Sequence, residues 1–249
     1  MMYTAFLYVR AIFFWIGFGV SFIIVGLMAP FLFPFSREVC YRALLPWCTF
    51  NVWWIKVTCG IKYNLIGAEN IDLNNNGIIL GNHQSTWETM AIPANFPPIS
   101  WVLKKELFKL PFFGWALSLV QPIAIDRKAG KSAMEQIKTK GKERLDSGNW
   151  VCIFPEGTRV LPGVKARYRM GGALLAQHSG YPVYPVAHNA GEFWPRHSFI
   201  KHPGTITLSI GKPFSVEGLN PDEINDKVRS WIDAEIAKMP IDKKRLKSK

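Results

Sequence analysis

Residues 77–89, GIILGNHQSTWET, close an apolar run at Asn82 and deliver His83 into a turn, with Glu88 five residues later. Histidine is the side chain best suited to take a proton near neutral pH. A carboxylate accepting its other ring N–H fixes the tautomer and stabilises the imidazolium that forms. Such a pair can activate a hydroxyl that the substrate itself brings, so no serine or cysteine nucleophile is required. The spacing also has a purely structural reading: Ser85-Thr86-Trp87-Glu88 has the S-x-x-E form of a capping box, in which Glu88 returns a hydrogen bond to the Ser85 backbone N–H. The two roles are compatible. A helix starting at Thr86 turns its positive end towards His83, which favours the neutral imidazole that a base requires.

A second constellation, Phe154-Pro155-Glu156-Gly157-Thr158-Arg159, again follows an apolar run directly. Gly157 permits a tight turn or the close approach of a ligand, Thr158 offers a hydroxyl, and Arg159 offers a planar fork for bidentate phosphate binding. In Ala124-Ile125-Asp126-Arg127, Arg127 follows another such run, and Lys104-Lys105 follow a third. Each cation alone is more often a surface charge than a ligand. Groups just past the carboxyl ends of strands, however, line the ligand crevice of an α/β sheet. Several cations converging there beside a His/acid pair point to a phosphorylated substrate that carries a free hydroxyl.

The elements that must position these groups are short. Strands are expected at 61–66, 77–82, 99–103, 122–126, 150–154, 182–187 and 205–210, each a β-rich apolar run bounded by turn residues. Ser132-Ala133-Met134-Glu135 reads as a capping box opening a helix to about Asp146, closed by Gly148. Asn220-Pro221-Asp222-Glu223 opens another helix to about Lys238. Strands alternating with helices imply an α/β fold with a mixed, largely parallel sheet flanked by helices.

The chain has 249 residues, of which 49% are hydrophobic and only 19% charged, which excludes an intrinsically disordered protein. Thirty Lys and Arg against eighteen Asp and Glu give a net charge of +12, so an anionic partner is expected. Four cysteines, Cys40, Cys48, Cys59 and Cys152, form no C-x-x-C pair, and neither a zinc site nor a disulfide framework is expected. Residues 11–33 carry no charge and lie between Arg10 and Arg37. As a helix they would reach about 35 Å, enough to cross a bilayer core. The stretch is too long for a secretory signal and lacks a cleavage site. Residues 40–59 could lie in the interface or fold back as a hairpin, so a single crossing and a half-buried two-helix anchor are both open. Trp15, Trp47, Trp53 and Trp54 suit a membrane boundary. The expected organisation is an apolar two-helix membrane anchor at 1–60, an α/β domain at 61–240 and a basic tail at 241–249.

Asn82 and His83-x-x-x-x-Glu88, then Ala124 to Arg127, then Phe154 to Arg159, then Val183-Tyr184-Pro185-Val186-Ala187 resemble, in order and spacing, the four blocks of the glycerolipid acyltransferases. The likeness is greatest to the bacterial 1-acyl-sn-glycerol-3-phosphate acyltransferases. It runs from about residue 40 to 215 and extends to the apolar amino-terminal anchor. One departure is Glu88, where the family's first block usually ends in Asp. The carboxylate sits one methylene farther out and reaches the imidazole if the chain shifts by about an ångström. The fourth block is mostly apolar and reads equally as a buried strand.

The resemblance implies transfer of a fatty acyl group from acyl-CoA or acyl-acyl carrier protein to the sn-2 hydroxyl of lysophosphatidate, giving phosphatidate for phospholipid biosynthesis. It implies His83 as base and Glu88 as its orienting acid, with no covalent intermediate. Glu156, Gly157, Thr158 and Arg159 would shape the acceptor site, with Arg159 on the phosphate, while Arg127, Lys104 and Lys105 add charge. No cofactor and no metal are implied, the thioester being a co-substrate. The expected partners are lysophosphatidate, the acyl thioester, anionic membrane lipid and acyl carrier protein. The expected location is a bacterial inner membrane with the catalytic domain on the cytoplasmic side. Three rivals are the same chemistry on a lyso-ornithine lipid or lysophospholipid, a non-catalytic membrane-binding protein, and a nucleic-acid binder. No nucleic-acid partner is expected, since the basic residues follow no recognition motif.

Overall fold

A computed structural model of the protein describes residues 2–240, so the basic tail expected at 241–249 lies outside the described residues. The uncharged amino-terminal run forms one long helix, α1 (Met2–Leu32), and a short turn leads into α2 (Arg37–Cys59). Ser36 opens α2 by accepting the Val39 N–H. The short turn returns the two helices antiparallel, and the partly buried indole N–H groups between them find acceptors on the facing helix. Trp47 Nε1 donates to Ser21 Oγ at 3.2 Å and Trp54 Nε1 to the Phe14 carbonyl at 3.2 Å. Near the other end Arg10 Nε donates to the Thr58 carbonyl. Among the described residues, α1 alone is long and apolar enough to cross a membrane by length and composition. One side of it bears exposed Phe6, Phe13, Ile16, Ile23, Leu27 and Phe31.

The other side of α1 packs against the rest of the protein. Gly26 meets Phe112 so closely that a Cβ built on the glycine would lie 2.3 Å from the Phe112 Cβ. Any larger residue there would push the helix off.

The seven expected strands all form: β1 (Ile61–Ile66), β2 (Ile78–Gly81), β3 (Ile99–Lys104), β4 (Ile123–Ile125), β5 (Trp150–Ile153), β6 (Val183–His188) and β7 (Gly204–Ile210). They make one sheet in the order β1-β7-β6-β2-β5-β3-β4. Strands β2 to β6 run parallel to one another, so their carboxyl ends share one edge, whereas β7 runs antiparallel to β6 and parallel to β1. The connecting helices are α3 (Glu88–Asn95), α4 (Phe113–Leu119), α5 (Lys131–Asp146), α6 (Gly171–Ser179) and the single turn α7 (Ala190–Phe193), and α8 (Pro221–Lys238) follows β7.

Successive strand residues point to opposite faces, and both faces are buried, which is why these strands read as continuous apolar runs. Ile79, Trp150, Cys152 and Tyr184 pack with Phe14, Ile55 and Trp87 under the helical hairpin. Ile78, Leu80, Val151 and Ile153 pack on the opposite face with Ile137, Leu175 and Val228 of α5, α6 and α8.

Two helix starts differ from each other in outcome. α8 opens with the full capping box: Asn220 accepts from Asp222 and Glu223, and Glu223 returns a bond to the Asn220 N–H. The capping box expected at Ser132 does not form. The side chain of Asp126 accepts the Lys128 N–H and the Ala129 N–H bonds back to the Asp126 carbonyl, so the preceding turn winds the chain directly into α5 two residues earlier, with Gly130 in place of Ser132 as N-cap. Ser132 donates its N–H to Ala129, and Glu135 pairs with Lys138 at 2.8 Å instead.

Candidate active site

At the carboxyl end of β2 the chain leaves the sheet at Asn82, and His83 is the first side chain of the turn towards α3. Its Nδ1 lies 2.8 Å from Glu88 Oε1. The same oxygen accepts the backbone N–H groups of Gln84 and Ser85, each at 2.8 Å. Glu88 thus returns the capping bond and holds the imidazole at once, and the extra methylene noted above is absorbed in the turn. Glu88 is wholly buried. Burial pushes its proton affinity up, but His188, His83 and the Ser85 N–H outweigh it and hold the carboxyl below the ordinary range. A carboxylate acceptor puts the proton of neutral His83 on Nδ1. Nε2 is then left with its lone pair and, among the described residues, no hydrogen-bond partner.

The neighbouring strand end locks this turn. Asn82 Nδ2 donates to the His188 carbonyl and the His188 N–H donates to Asn82 Oδ1, both at 2.9 Å. The His188 ring closes the same link. Its Nε2–H donates to the Asn82 carbonyl at 2.8 Å and its Nδ1 accepts the Ala190 N–H at 3.3 Å. These partners fix His188 as a neutral tautomer, and burial holds it below its ordinary value against the pull of Glu88 3.8 Å away. Just past the end of β5, Phe154 lays its ring on the His83 ring, and Glu156 Oε2 accepts the His83 backbone N–H at 2.8 Å. Burial pushes the Glu156 carboxyl up to about 8, against that same hydrogen bond, so it is protonated at neutral pH.

His83 lines a cavity of about 740 Å³. One part of its wall is apolar, from Phe18, Phe22 and Val25 of α1, Leu44 and Trp47 of α2, and Phe113 and Ala116 of α4. The polar lining, which includes His83, Lys104, Arg127, Glu156 and Arg169, comes from the carboxyl edge of the sheet and the loops beyond it.

Of the residues expected in the site, His83, Glu156, Gly157, Arg127 and Lys104 line this cavity, and Glu88 stands directly behind His83. Three others do not line it either. Arg159 lies behind the wall, where its Nη1 donates to the hydroxyl of Thr86, a lining residue, at 2.8 Å. Arg196 grips the Arg159 carbonyl at 2.6 Å and so fixes that loop. Thr158 is exposed outside the wall. Lys105 is drawn away by Asp126, its ammonium 2.7 Å from the carboxylate.

Sequence reasoning missed His188, Thr86, Arg167 and Arg169. His188 directly follows the fourth block at a strand end, so the rule that found His83 applied to it equally. Arg167 and Arg169 line the cavity from the far end of the long irregular loop between β5 and α6, well away from the strand end, and no positional signal marked them.

A family model described as Acyltransferase matches residues 62–189, from β1 to the residue after β6, which is about half of the chain. A 1-acyl-sn-glycerol-3-phosphate acyltransferase of Pseudomonas aeruginosa is 41% identical over 236 residues, covering 93% of this chain and 91% of that protein. The chain belongs to the acyltransferase family. A protein of the same description from Saccharomyces cerevisiae is 30% identical over 185 residues, 72% of this chain and 59% of its own. The crystal structure of the 1-acyl-sn-glycerophosphate acyltransferase PlsC of Thermotoga maritima superposes with a TM-score of 0.77 at 21% identity, over 92% of this chain and 94% of that one. The fold is therefore shared. For an acyltransferase the apolar part of the cavity matters, since an acyl chain must be housed.

Proposed function

We propose that this acyltransferase moves a fatty acyl group from a thioester, acyl-CoA or acyl-acyl carrier protein, to the sn-2 hydroxyl of 1-acyl-glycerol-3-phosphate. The observation that carries the reading is the His83–Glu88 contact of 2.8 Å on the wall of a cavity that is apolar on the hairpin side and cationic on the sheet side. His83 Nε2 takes the acceptor's hydroxyl proton while Glu88 stabilises the imidazolium. The acceptor oxygen forms its bond to the thioester carbonyl carbon. The tetrahedral adduct then collapses, the C–S bond breaks, and the thiolate leaves with the proton that His83 holds. Atoms balance without an acyl-enzyme, and no side chain besides His83 exchanges a proton. Arg127 and Lys104 supply positive charge for the acceptor phosphate, Arg159 holds the Thr86 wall, and neutral Glu156 fixes the His83 backbone.

The helical hairpin fits a lipid substrate. Along its length α1 touches the body of the protein, from Tyr8 against Phe199, through Trp15 Nε1 on the Phe199 carbonyl, to Phe22 on Phe113 and Gly26 on Phe112. A helix held along one side over this span favours lying in one leaflet over crossing it, with its exposed apolar side in the acyl region. The enzyme then meets its lysolipid by lateral diffusion, on the cytoplasmic side of a bacterial inner membrane. The test is a thiol-release assay on purified protein in detergent, with acyl-CoA or acyl-carrier donors and a panel of lysolipid acceptors. Thiol release that depends on lysophosphatidate supports the reading. Release that depends on lyso-ornithine lipid or a lysophospholipid alone moves the acceptor, and none at all removes the enzymatic reading.

A further inference from the structure

Five cations stand at or beside the polar part of the cavity: Lys104, Lys105, Arg127, Arg167 and Arg169. The carboxylates there are already engaged. Lys105 holds Asp126 at 2.7 Å, Lys104 faces Glu106 at 3.6 Å, and Glu156 is protonated at neutral pH. Three guanidiniums are left, and among the described residues none of Arg127, Arg167 and Arg169 makes an ion pair or a side-chain hydrogen bond. All three are exposed, and Glu106 pulls on Arg127 from beyond ion-pair distance, so the grouping keeps a net positive charge that attracts an anion from solution.

Arg169 is the best placed of the three. Its backbone N–H donates to the Pro155 carbonyl at 2.7 Å, which ties it to the loop that also carries Glu156. Its side chain crosses Gly157, where a Cβ would stand 2.5 Å from Nε and 2.7 Å from Cδ. Gly157, at φ 69, is therefore the bed on which the Arg169 shaft lies. Arg127 lines the same cavity, held below the ordinary guanidinium range by enclosure and by the charge of Arg169. Two planar forks lining one cavity, close enough for their charges to interact, match an anion with several free oxygens and two charges. A phosphomonoester at neutral pH is such an anion, whereas a phosphodiester has one charge and two free oxygens.

We propose that Arg169, together with Arg127, grips the acceptor's phosphate and makes the enzyme prefer a phosphomonoester head group to a phosphodiester one. The proposal rests on the reading of lysophosphatidate as acceptor. It also gives Gly157 a purpose beyond its turn, since any side chain there would displace Arg169.

The test uses the full chain in detergent micelles, with kcat and KM measured separately for acyl-CoA, lysophosphatidate and lysophosphatidylglycerol. Arg169→Gln should raise the KM for lysophosphatidate about tenfold or more, the loss expected for a charge-assisted bidentate contact, with the acyl-CoA KM unmoved. Its preference for lysophosphatidate over lysophosphatidylglycerol should fall by a similar factor. Arg169→Lys should restore part of both. Lys212→Gln, which removes an exposed charge beyond β7 on the opposite edge of the sheet, should change neither. A rise in the acyl-CoA KM alone would overturn the proposal in favour of a donor-phosphate site, and unchanged constants would make Arg169 a solvated surface charge. Should Arg169→Gln fail to fold by circular dichroism, the same comparison on Arg169→Lys decides. Wild-type protein that does not turn over lysophosphatidate removes the acceptor reading itself. An active wild type with an unchanged Arg169→Gln removes only this inference.

Discussion

The ring of Phe154 lies face to face on the imidazole of His83, with centroids 4.2 Å apart and planes within 4° of parallel. Glu88 fixes one edge of the imidazole and Phe154 covers one face, so the ring has little freedom left and Nε2 is aimed. An aromatic contact of this kind contributes about 0.5–1.5 kcal/mol beyond its buried area. In Phe154→Leu the imidazole can swing, and kcat should fall about three- to tenfold with the acceptor KM close to wild type. Steady-state kinetics on lysophosphatidate checks this, and an unchanged kcat would show that Glu88 alone suffices to orient the ring.

Glu88→Gln and Glu88→Asp separate charge from reach. Glutamine can still accept the Gln84 and Ser85 N–H groups but brings no negative charge to the imidazolium, whereas aspartate keeps the charge one methylene short. Glutamine should therefore lower kcat more than aspartate does. Equal, small effects in the same thiol-release assay would reduce Glu88 to its capping bond.

Asn82→Ala removes both partners of the His188 backbone, leaving a buried N–H and a buried carbonyl unpaired. The expected destabilisation is about 2–3 kcal/mol, read from the denaturant midpoint. A loss under about 0.5 kcal/mol would mean that water enters between β2 and β6.

Glu156 gives the protein a pH signature. Its folded-state value of about 8 lies above the ordinary carboxylate range. Between that range and pH 8 the folded state therefore holds a proton that the unfolded chain has released. This group's contribution to stability is complete at low pH and is lost as the pH rises towards 8. Glu156→Gln, which can accept the same His83 N–H, should have a melting temperature that gains on wild type as the pH is raised from 5 to 8. Parallel curves for the two proteins would place the ionised carboxylate in the folded state at neutral pH.

Much of this was legible in the chain, for reasons that particular residues make plain. The strands are buried on both faces, so runs such as IILG and WVCI announce themselves without an alternating pattern. His83 and Glu88 are close in sequence, and a single turn brings them together. Longer reach was harder to read. Nothing in the sequence says that Lys105 turns to Asp126 or that Arg159 bonds to Thr86, because both outcomes depend on how separate loops meet. The cap at Ser132 failed for a related reason, a preceding turn at Asp126 winding the chain into α5 first. His188 and Arg169 become visible only when the edge of the sheet gathers residues that are far apart in the chain.

The most direct test of the central claim is His83→Ala in the thiol-release assay, with lysophosphatidate varied and the acyl donor saturating. Turnover should drop at least about a hundredfold, while the melting temperature stays near that of wild type and the remaining activity still depends on lysophosphatidate. Turnover kept within a few-fold of wild type in a folded protein would mean that the base is elsewhere.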